Sequence, residues 1–315
     1  MAAAAVFVIG TLAGCGNSST QTTDKTASSD ASSSGGDLVT VRDAVMTGQL
    51  DQYATEIGLW QGIFEKYGID LQTTEFVAGI NTIDAVVNGT ADIGMMADYA
   101  AVNRLGNTLD ATNLQIFSQI SGGQSALSGG LYVDPKYADD PKSLDGSAGF
   151  MYQEGTVTYY YASKCIEYLG LDESKQNLIN TDSSQTRLAL IQKDGASAVY
   201  ANGSEAKYIE EAGWVQVATS QEIGIQTGSY FLSTDKYISE NTDTLAKFLQ
   251  AVDESTQYIN DHLDESAEYL ADKLGLKAED FKENWKNYSF EPGFSEEATT
   301  HLEDIEKWGF EHGSF

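Results

Sequence analysis

From Leu38 onward the chain alternates short apolar runs, polar loops and amphipathic stretches that close on glycine. Repeats of this kind argue for α/β layers with mainly parallel sheets. Leu38 to Val45 reads as the first strand. Tyr53, Ile57, Trp60, Phe64 and Tyr67 then recur at steps of four and three, which is one face of a helix closed by Gly68. Ile69 to Val77 predicts a second strand. Ile80, Ile83, Val86 and Val87 mark a short helix that stops at Gly89, and Ala91 to Met96 follows as a third strand. Leu114 to Ile120, Gly130 to Val133 and Ala148 to Tyr152 continue the series. The last of these precedes a helix with Val157, Tyr161, Cys165 and Tyr168 on one face, ended by Gly170.

Two stretches echo each other. Val86 to Met95 (VVNGTADIGM) and Ile191 to Tyr200 (IQKDGASAVY) share a helix, a glycine and a strand in the same order. Two similar lobes would produce this, and 315 residues suffice for two cores. Beyond Asn241 helical periodicity dominates, with Leu245, Phe248, Val252 and Ile259 in one helix. Leu270 and Leu274, Phe281 and Trp285, and Leu302 and Ile305 mark three more. These helices are expected to back the first lobe.

The first 36 residues belong to neither lobe. Ala2 to Ile9 is an apolar run far shorter than the roughly 20 residues that span a bilayer as a helix, so it reads as the apolar part of a secretory signal peptide. Leu12-Ala13-Gly14-Cys15 resembles a lipobox, the bacterial signal for acylation of the cysteine and cleavage before it. Residues 15–36 continue as a Ser/Thr/Asp-rich stretch that cannot bury a core and suits a flexible tether. No Lys or Arg precedes the apolar run, where such segments usually carry one. Acylation of Cys15 would hold the protein at the outer face of the bacterial cytoplasmic membrane.

Charge narrows the function. Lys and Arg total 18 against 47 Asp and Glu, a net charge of -29, of which residues 1–36 carry only -1. Such a field repels nucleic acid and anionic lipid. With Cys15 in a processing signal, Cys165 has no disulfide partner, and His262, His301 and His312 lack a Cys or second His at zinc-ligand spacing. No metal and no cofactor is expected.

Gly62 to Ile69 (GIFEKYGI), Phe76-Val77-Ala78-Gly79, Asn88 to Gly94 (NGTADIG), Ser143-Leu144-Asp145-Gly146 and Glu154-Gly155-Thr156 are short segments held in order over residues 38–310. Together they resemble the aliphatic-sulfonate, nitrate, taurine and thiamine-precursor type of ABC substrate-binding protein. Leu190 to Val199 resembles the second-lobe segment, but Ser197 stands where the family usually has Asp. The resemblance implies an α/β, two-lobed, periplasmic-binding-protein-like (type II) fold with the ligand cleft between lobes, closing by hinge motion. Crossings near Ser125 and Gly228 give a discontinuous first lobe of residues 37–125 and 228–315, and a second of 126–227. The implied partners are a small-molecule ligand, an ABC permease and its ATPase, with the chain acting as a monomer.

In open α/β sheets ligands sit beyond the carboxyl ends of strands. That rule selects Gly48, Gln49 and Tyr53 after the first strand, Gly79, Ile80 and Asn81 after the second, Asp98 and Tyr99 after the third, and then Gly123 and Gln124. On the other lobe it selects Glu154, Gly155, Thr156, Val157 and Thr158, then Tyr200 and Asn202. Amides at Gly155 to Thr158 could receive an anionic head group, and Thr156 could equally be a plain helix cap. Arg42 falls in a strand and Arg104 and Arg187 in helices, so no arginine clamp on an oxyanion is evident. Tyr53, Tyr99, Tyr152 and Tyr200, with Asp98 and Glu154, suit a planar or amine-bearing solute, with Tyr152 read as core or rim. The full range runs from sulfonate- or taurine-like to pyrimidine- or amine-like solutes. The alternatives are an enzyme using Cys165, which follows Lys164, or a ligand-sensing surface lipoprotein. Cys165 sits mid-helix on the apolar stripe and reads as structural.

Overall fold

A computed structural model describes residues 38–123, 129–144, 146, 149–286, 290 and 292–314. Cys15, Gln124, Ser125 and Asp145 lie outside the described residues.

The strands are β1 (Val39–Met46), β2 (Ile69–Phe76), β3 (Ile93–Ala97), β4 (Leu114–Gly123), β5 (Gly129–Val133), β6 (Gly149–Tyr152), β7 (Asn177–Asn180), β8 (Ala198–Asn202), β9 (Val215–Thr219) and β10 (Thr227–Thr234). They form two five-stranded sheets, in the orders β2-β1-β3-β10-β4 and β7-β6-β8-β5-β9. The orders are the same design used twice. In each, the first three strands are parallel and the fourth is antiparallel to both its neighbours. The expectation of mainly parallel sheets is corrected to mixed sheets, and the reason is the path of the chain. Strands β5 and β10 are the first to follow a passage from the other sheet. They start at the edge where β1, β2, β3, β6, β7 and β8 end.

The helices are α1 (Leu50–Trp60), α2 (Ile63–Lys66), α3 (Gly79–Val87), α4 (Asp98–Thr112), α5 (Val157–Tyr168), α6 (Ser184–Ile191), α7 (Gly203–Glu211), α8 (Ser220–Ile223), α9 (Asp235–Glu240), α10 (Thr242–Asp261), α11 (Leu263–Leu274), α12 (Ala278–Trp285) and α13 (Glu296–Glu311). The single helix expected up to Gly68 is two helices. Gly62 takes φ 68°, a left-handed conformation that ends α1 and restarts the chain as α2. The face of α1 buried in the core runs through Leu50, Ala54 and Ile57, while Trp60 is exposed and stacks on Tyr269 at 4.2 Å. Tyr168, expected on the buried stripe of α5, is also exposed.

One face of the first sheet packs Val41, Ile93 and Phe231 against α1, α10, α11 and α12. The other packs Ala44, Met96 and Leu232 against α3 and α4. The second sheet has its own cores around Phe150 and Leu131 and around Met151 and Val199. Helices α10 to α12 back the first sheet as expected. Helix α13 also lies on the first layer, against α4 and β4, and in addition its Ile305 and Trp308 pack among Tyr160, Tyr161 and Ile166 of α5.

Candidate functional site

A cavity of about 580 Å³ lies where α3 and α4 of the first layer face the start of α5 in the second. Its size falls in the range of small-molecule sites, roughly 300–1,000 Å³. Among the expected residues, Ile80, Asp98, Tyr99, Gly155, Thr156 and Val157 line it together. Three close fits hold the α3 wall. A Cβ on Gly94 would lie 2.9 Å from the Thr82 carbonyl oxygen, so only glycine lets β3 pass under α3. The Thr82 hydroxyl donates to Met95 O at 2.5 Å, and Gly79 rests against Met95 and Met96.

The opposite wall is the N-terminus of α5. Thr156 is its N-cap and accepts from the Thr158 amide at 3.3 Å. The amides of Gly155 and Val157 meet no protein acceptor among the described residues. A Cβ at Gly155 would meet nothing within 4 Å, so no side chain obstructs that end. One turn on, Tyr161 is buried with its edge on the cavity. Burial first, then the neighbouring Asp98 carboxylate, pushes its phenol well above the usual range, so it stays a neutral hydroxyl.

Asp98 lines the cavity, but its carboxylate is committed elsewhere. Oδ1 accepts the Tyr99 amide at 2.6 Å, and Oδ2 meets the Gly228 amide and His301 Nε2, each at 2.8 Å. It fastens the end of β3 to the start of β10 and to α13, and its role as a counter-ion for an amine is corrected accordingly. Glu154 is exposed, bonded to Asn180 and outside the lining.

The remaining expected residues lie elsewhere. Gly48 donates to Gln52 Oε1 at 2.7 Å beside Gln49 in the β1–α1 loop, while Tyr53 packs edge-on against Phe281 at 5.0 Å. Gly79 and Asn81 in α3, Thr158 in α5 and Gly123 at the end of β4 do not line the cavity. Tyr200 is core, with its hydroxyl on Ser220 at 2.9 Å and its ring on Tyr161 at 4.6 Å. Asn202 precedes α7, and Tyr152 packs on Tyr159 at 4.6 Å.

Sequence reasoning missed Ala100, Asn103, Arg104 and Asn107, which line the cavity from α4, and Met96, Ala97, Tyr161 and Thr227. The four on α4 stand at positions i, i+3, i+4 and i+7, a polar face opposite Ala101, Val102 and Leu105. That spacing was the available signal. Arg104, set aside because it falls in a helix, stands in the wall with a guanidinium nitrogen 2.7 Å from Asp84. An arginine thus reaches the cavity wall, with its guanidinium paired to Asp84. The site offers two open amides, one arginine, two side-chain amides and two tyrosines around an apolar floor, a set that can hold an acceptor-rich head and an apolar body.

Cys165 is wholly buried, and burial pushes its thiol far up, so no thiolate is available. Among the described residues no group of His, Cys, Asp and Glu could hold a metal ion, and no helix is long and apolar enough to cross a membrane.

Solved structures share this architecture. The periplasmic aliphatic sulphonate binding protein SsuA from Escherichia coli is 16% identical, with 87% of each chain covered and a TM-score of 0.68. A putative periplasmic sulfonate-binding SsuA from Methylobacillus flagellatus KT is 13% identical, with 88% of each covered and a TM-score of 0.67. The periplasmic nitrate-binding protein NrtA from Synechocystis PCC 6803 is 15% identical, covering 88% of this chain and 82% of that one, with a TM-score of 0.56. No curated protein matches the sequence. The two-lobed periplasmic-binding-protein fold is common to all three structures and to this chain. The family model described as NMT1/THI5 like matches residues 57–266, which is most of the described chain, and the protein belongs to that family.

Proposed function

We propose that the chain is the extracytoplasmic solute-binding component of an ABC importer, capturing a small organic solute between its lobes and delivering it to a permease and its ATPase. The observation that carries this reading is the cavity, shared between the polar face of α4 and the open amides of α5. The lobes are residues 37–125 with 228–315, and 126–227. Acylation at Cys15 tethers the protein through residues 16–36, and it works as a monomer without catalysis.

The solute carries a compact anionic or acceptor head on an organic body. The α5 amides and helix dipole favour such a head, and Arg104 adds a positive charge nearby. Ile80, Met96, Val157 and the tyrosines receive the body. A cationic head finds no open carboxylate, since Asp98 is fully bonded and Glu154 stands outside. The sulfonate-binding neighbours support the same choice. A thermal-shift panel of taurine, alkanesulfonates, nitrate, pyrimidines and amines tests it. Stabilisation by an organic anion is expected, about 2.7 kcal/mol at a hundredfold excess over Kd. Stabilisation by amines alone, or by no member of the panel, refutes it.

A further inference from the structure

Helix α13 carries a stripe that reaches both lobes. His301, Asp304, Ile305, Trp308 and His312 stand at positions i, i+3, i+4, i+7 and i+11, so they share one face. The helix backbone lies on α4 and β4 of the first layer. His301 ties it to Asp98, which also holds the amide of Gly228 where the chain returns from the second sheet. Further along, the stripe meets α5 and the turn that follows it. Tyr160 donates to Asp304 Oδ2 at 2.8 Å, Lys164 to the same oxygen at 3.1 Å, and His312 Nε2 stands 3.1 Å from Glu173. Trp308 lies edge-on to Tyr99 at 6.0 Å and to Tyr160 at 5.5 Å.

We propose that α13 is a latch between the lobes, with Asp304 as the positioning residue that holds α5, and so the amide wall of the cavity, against α4. Any hinge opening that leaves α13 on α4 must separate Asp304 from Tyr160 and Lys164. These are side-chain contacts only, whereas the attachment to the first layer includes packed backbone and the buried His301–Asp98 bond. Burial alone would raise the Asp304 carboxyl, yet hydrogen bonds from Tyr160 and Lys164 outweigh it and hold the group below the usual carboxylate range. The contact therefore favours the ionised pair. The purpose of the latch rests on the solute-binding reading, but its existence does not.

The test is small-angle scattering of the full chain without added solute, comparing the wild type with Asp304→Ala, Tyr160→Phe and Glu254→Ala. The last removes an ion pair with Lys66 that lies wholly within the first layer. A compact chain of this length has a radius of gyration of about 20 Å, and hinge opening is expected to add roughly 1 Å in the first two variants and nothing in the third. Tyr160→Phe deletes one hydroxyl and keeps the ring, so it reads the latch even if Asp304→Ala folds poorly. Radii equal to the wild type in both, or the same increase in Glu254→Ala, overturn the proposal. Because no solute is present, a panel in which nothing binds would refute the transport reading while leaving this result standing.

Discussion

Asp51→Asn probes a buried acid pair where the first strand meets the first helix. Asp43 in β1 and Asp51 in the first turn of α1 are 1% and 0% exposed. Asp51 Oδ2 accepts the Met46 amide at 2.9 Å, but its other oxygen and both of Asp43 lack a hydrogen-bond partner among the described residues. Burial raises the Asp51 carboxyl from 3.8 to about 7, against backbone hydrogen bonds that lower it, and burial with the Asp51 charge raises Asp43 well above its ordinary value. A group whose folded value lies above its unfolded value stabilises fully below the latter, and that stability is lost as pH rises to the former. For Asp51 the loss runs at about 1.4 kcal/mol per pH unit between roughly pH 4 and pH 7, some 4 kcal/mol in all. Asparagine can still accept from Met46 and has no proton to lose. Urea unfolding of both proteins across that window should show the variant gaining on the wild type as pH rises, with the two nearest each other at the acid end. A difference that does not change with pH, or that shrinks as pH rises, refutes the reasoning.

Four further outcomes follow from the same geometry. Gly94→Ala forces a methyl against the Thr82 backbone and should cost about 1–3 kcal/mol in thermal or urea unfolding; an unchanged transition would show that α3 is not held by this contact. Arg104→Gln should leave stability within about 1 kcal/mol, since its pair with half-exposed Asp84 is partly solvated, yet reduce stabilisation by an organic anion; equal stabilisation removes Arg104 from the site. Cys165 should resist a thiol reagent in the folded protein and react on unfolding, read by mass mapping, whereas prompt labelling would restore it as a candidate nucleophile. Asp43→Leu should stabilise the protein at neutral pH by about 1–3 kcal/mol in urea unfolding, because it removes unpartnered buried oxygens, and a loss of stability would mean that the carboxyl has a structural role.

The alternation of strands and amphipathic helices was legible because it is local: period and glycine stops located β1 to β3, α3 and α5 to within a few residues. The break at Gly62 was not, since the apolar spacing continues across it and only the left-handed backbone ends the helix. Nor was the direction of β5 and β10, which depends on the side from which the chain enters a sheet rather than on any residue within the strand. Part of the cavity followed from the rule that loops at strand ends gather ligands, which found Ile80, Asp98, Tyr99 and the start of α5. It failed for the α4 wall, because that wall is a helix face, and for Asp98 in detail, because the use of its carboxylate is decided by His301 and Gly228, distant in sequence.

The internal echo goes deeper than the pattern that revealed it. Offset by 105 positions, the two helix ends make matching bonds: Gly89 to Val86 and Thr90 to Ala85 in one, Asp194 to Ile191 and Gly195 to Leu190 in the other. Asp194 takes a left-handed φ of 52° where the first lobe has glycine at 76°, so the glycine that both stretches carry falls one position later in the second. The match extends into the sheets. The Asp92 amide donates to Arg42 O, and the Ser197 amide to Gly149 O, so Arg42 corresponds to Gly149. Asp92 also binds the Arg42 side chain; with glycine and serine at the corresponding positions, 149 and 197, the second lobe has no such ion pair there. One residue on, Asp43 pairs with Ile93 as Phe150 pairs with Ala198. The second lobe therefore fills with a buried aromatic ring the slot that the first gives to an unpartnered carboxyl, so the first lobe's design can close around an apolar side chain there. The acid at 43 is a departure within a repeated frame: the frame gives the ground for expecting Asp43→Leu to be accommodated, and the unpartnered oxygens it removes give the ground for expecting a gain.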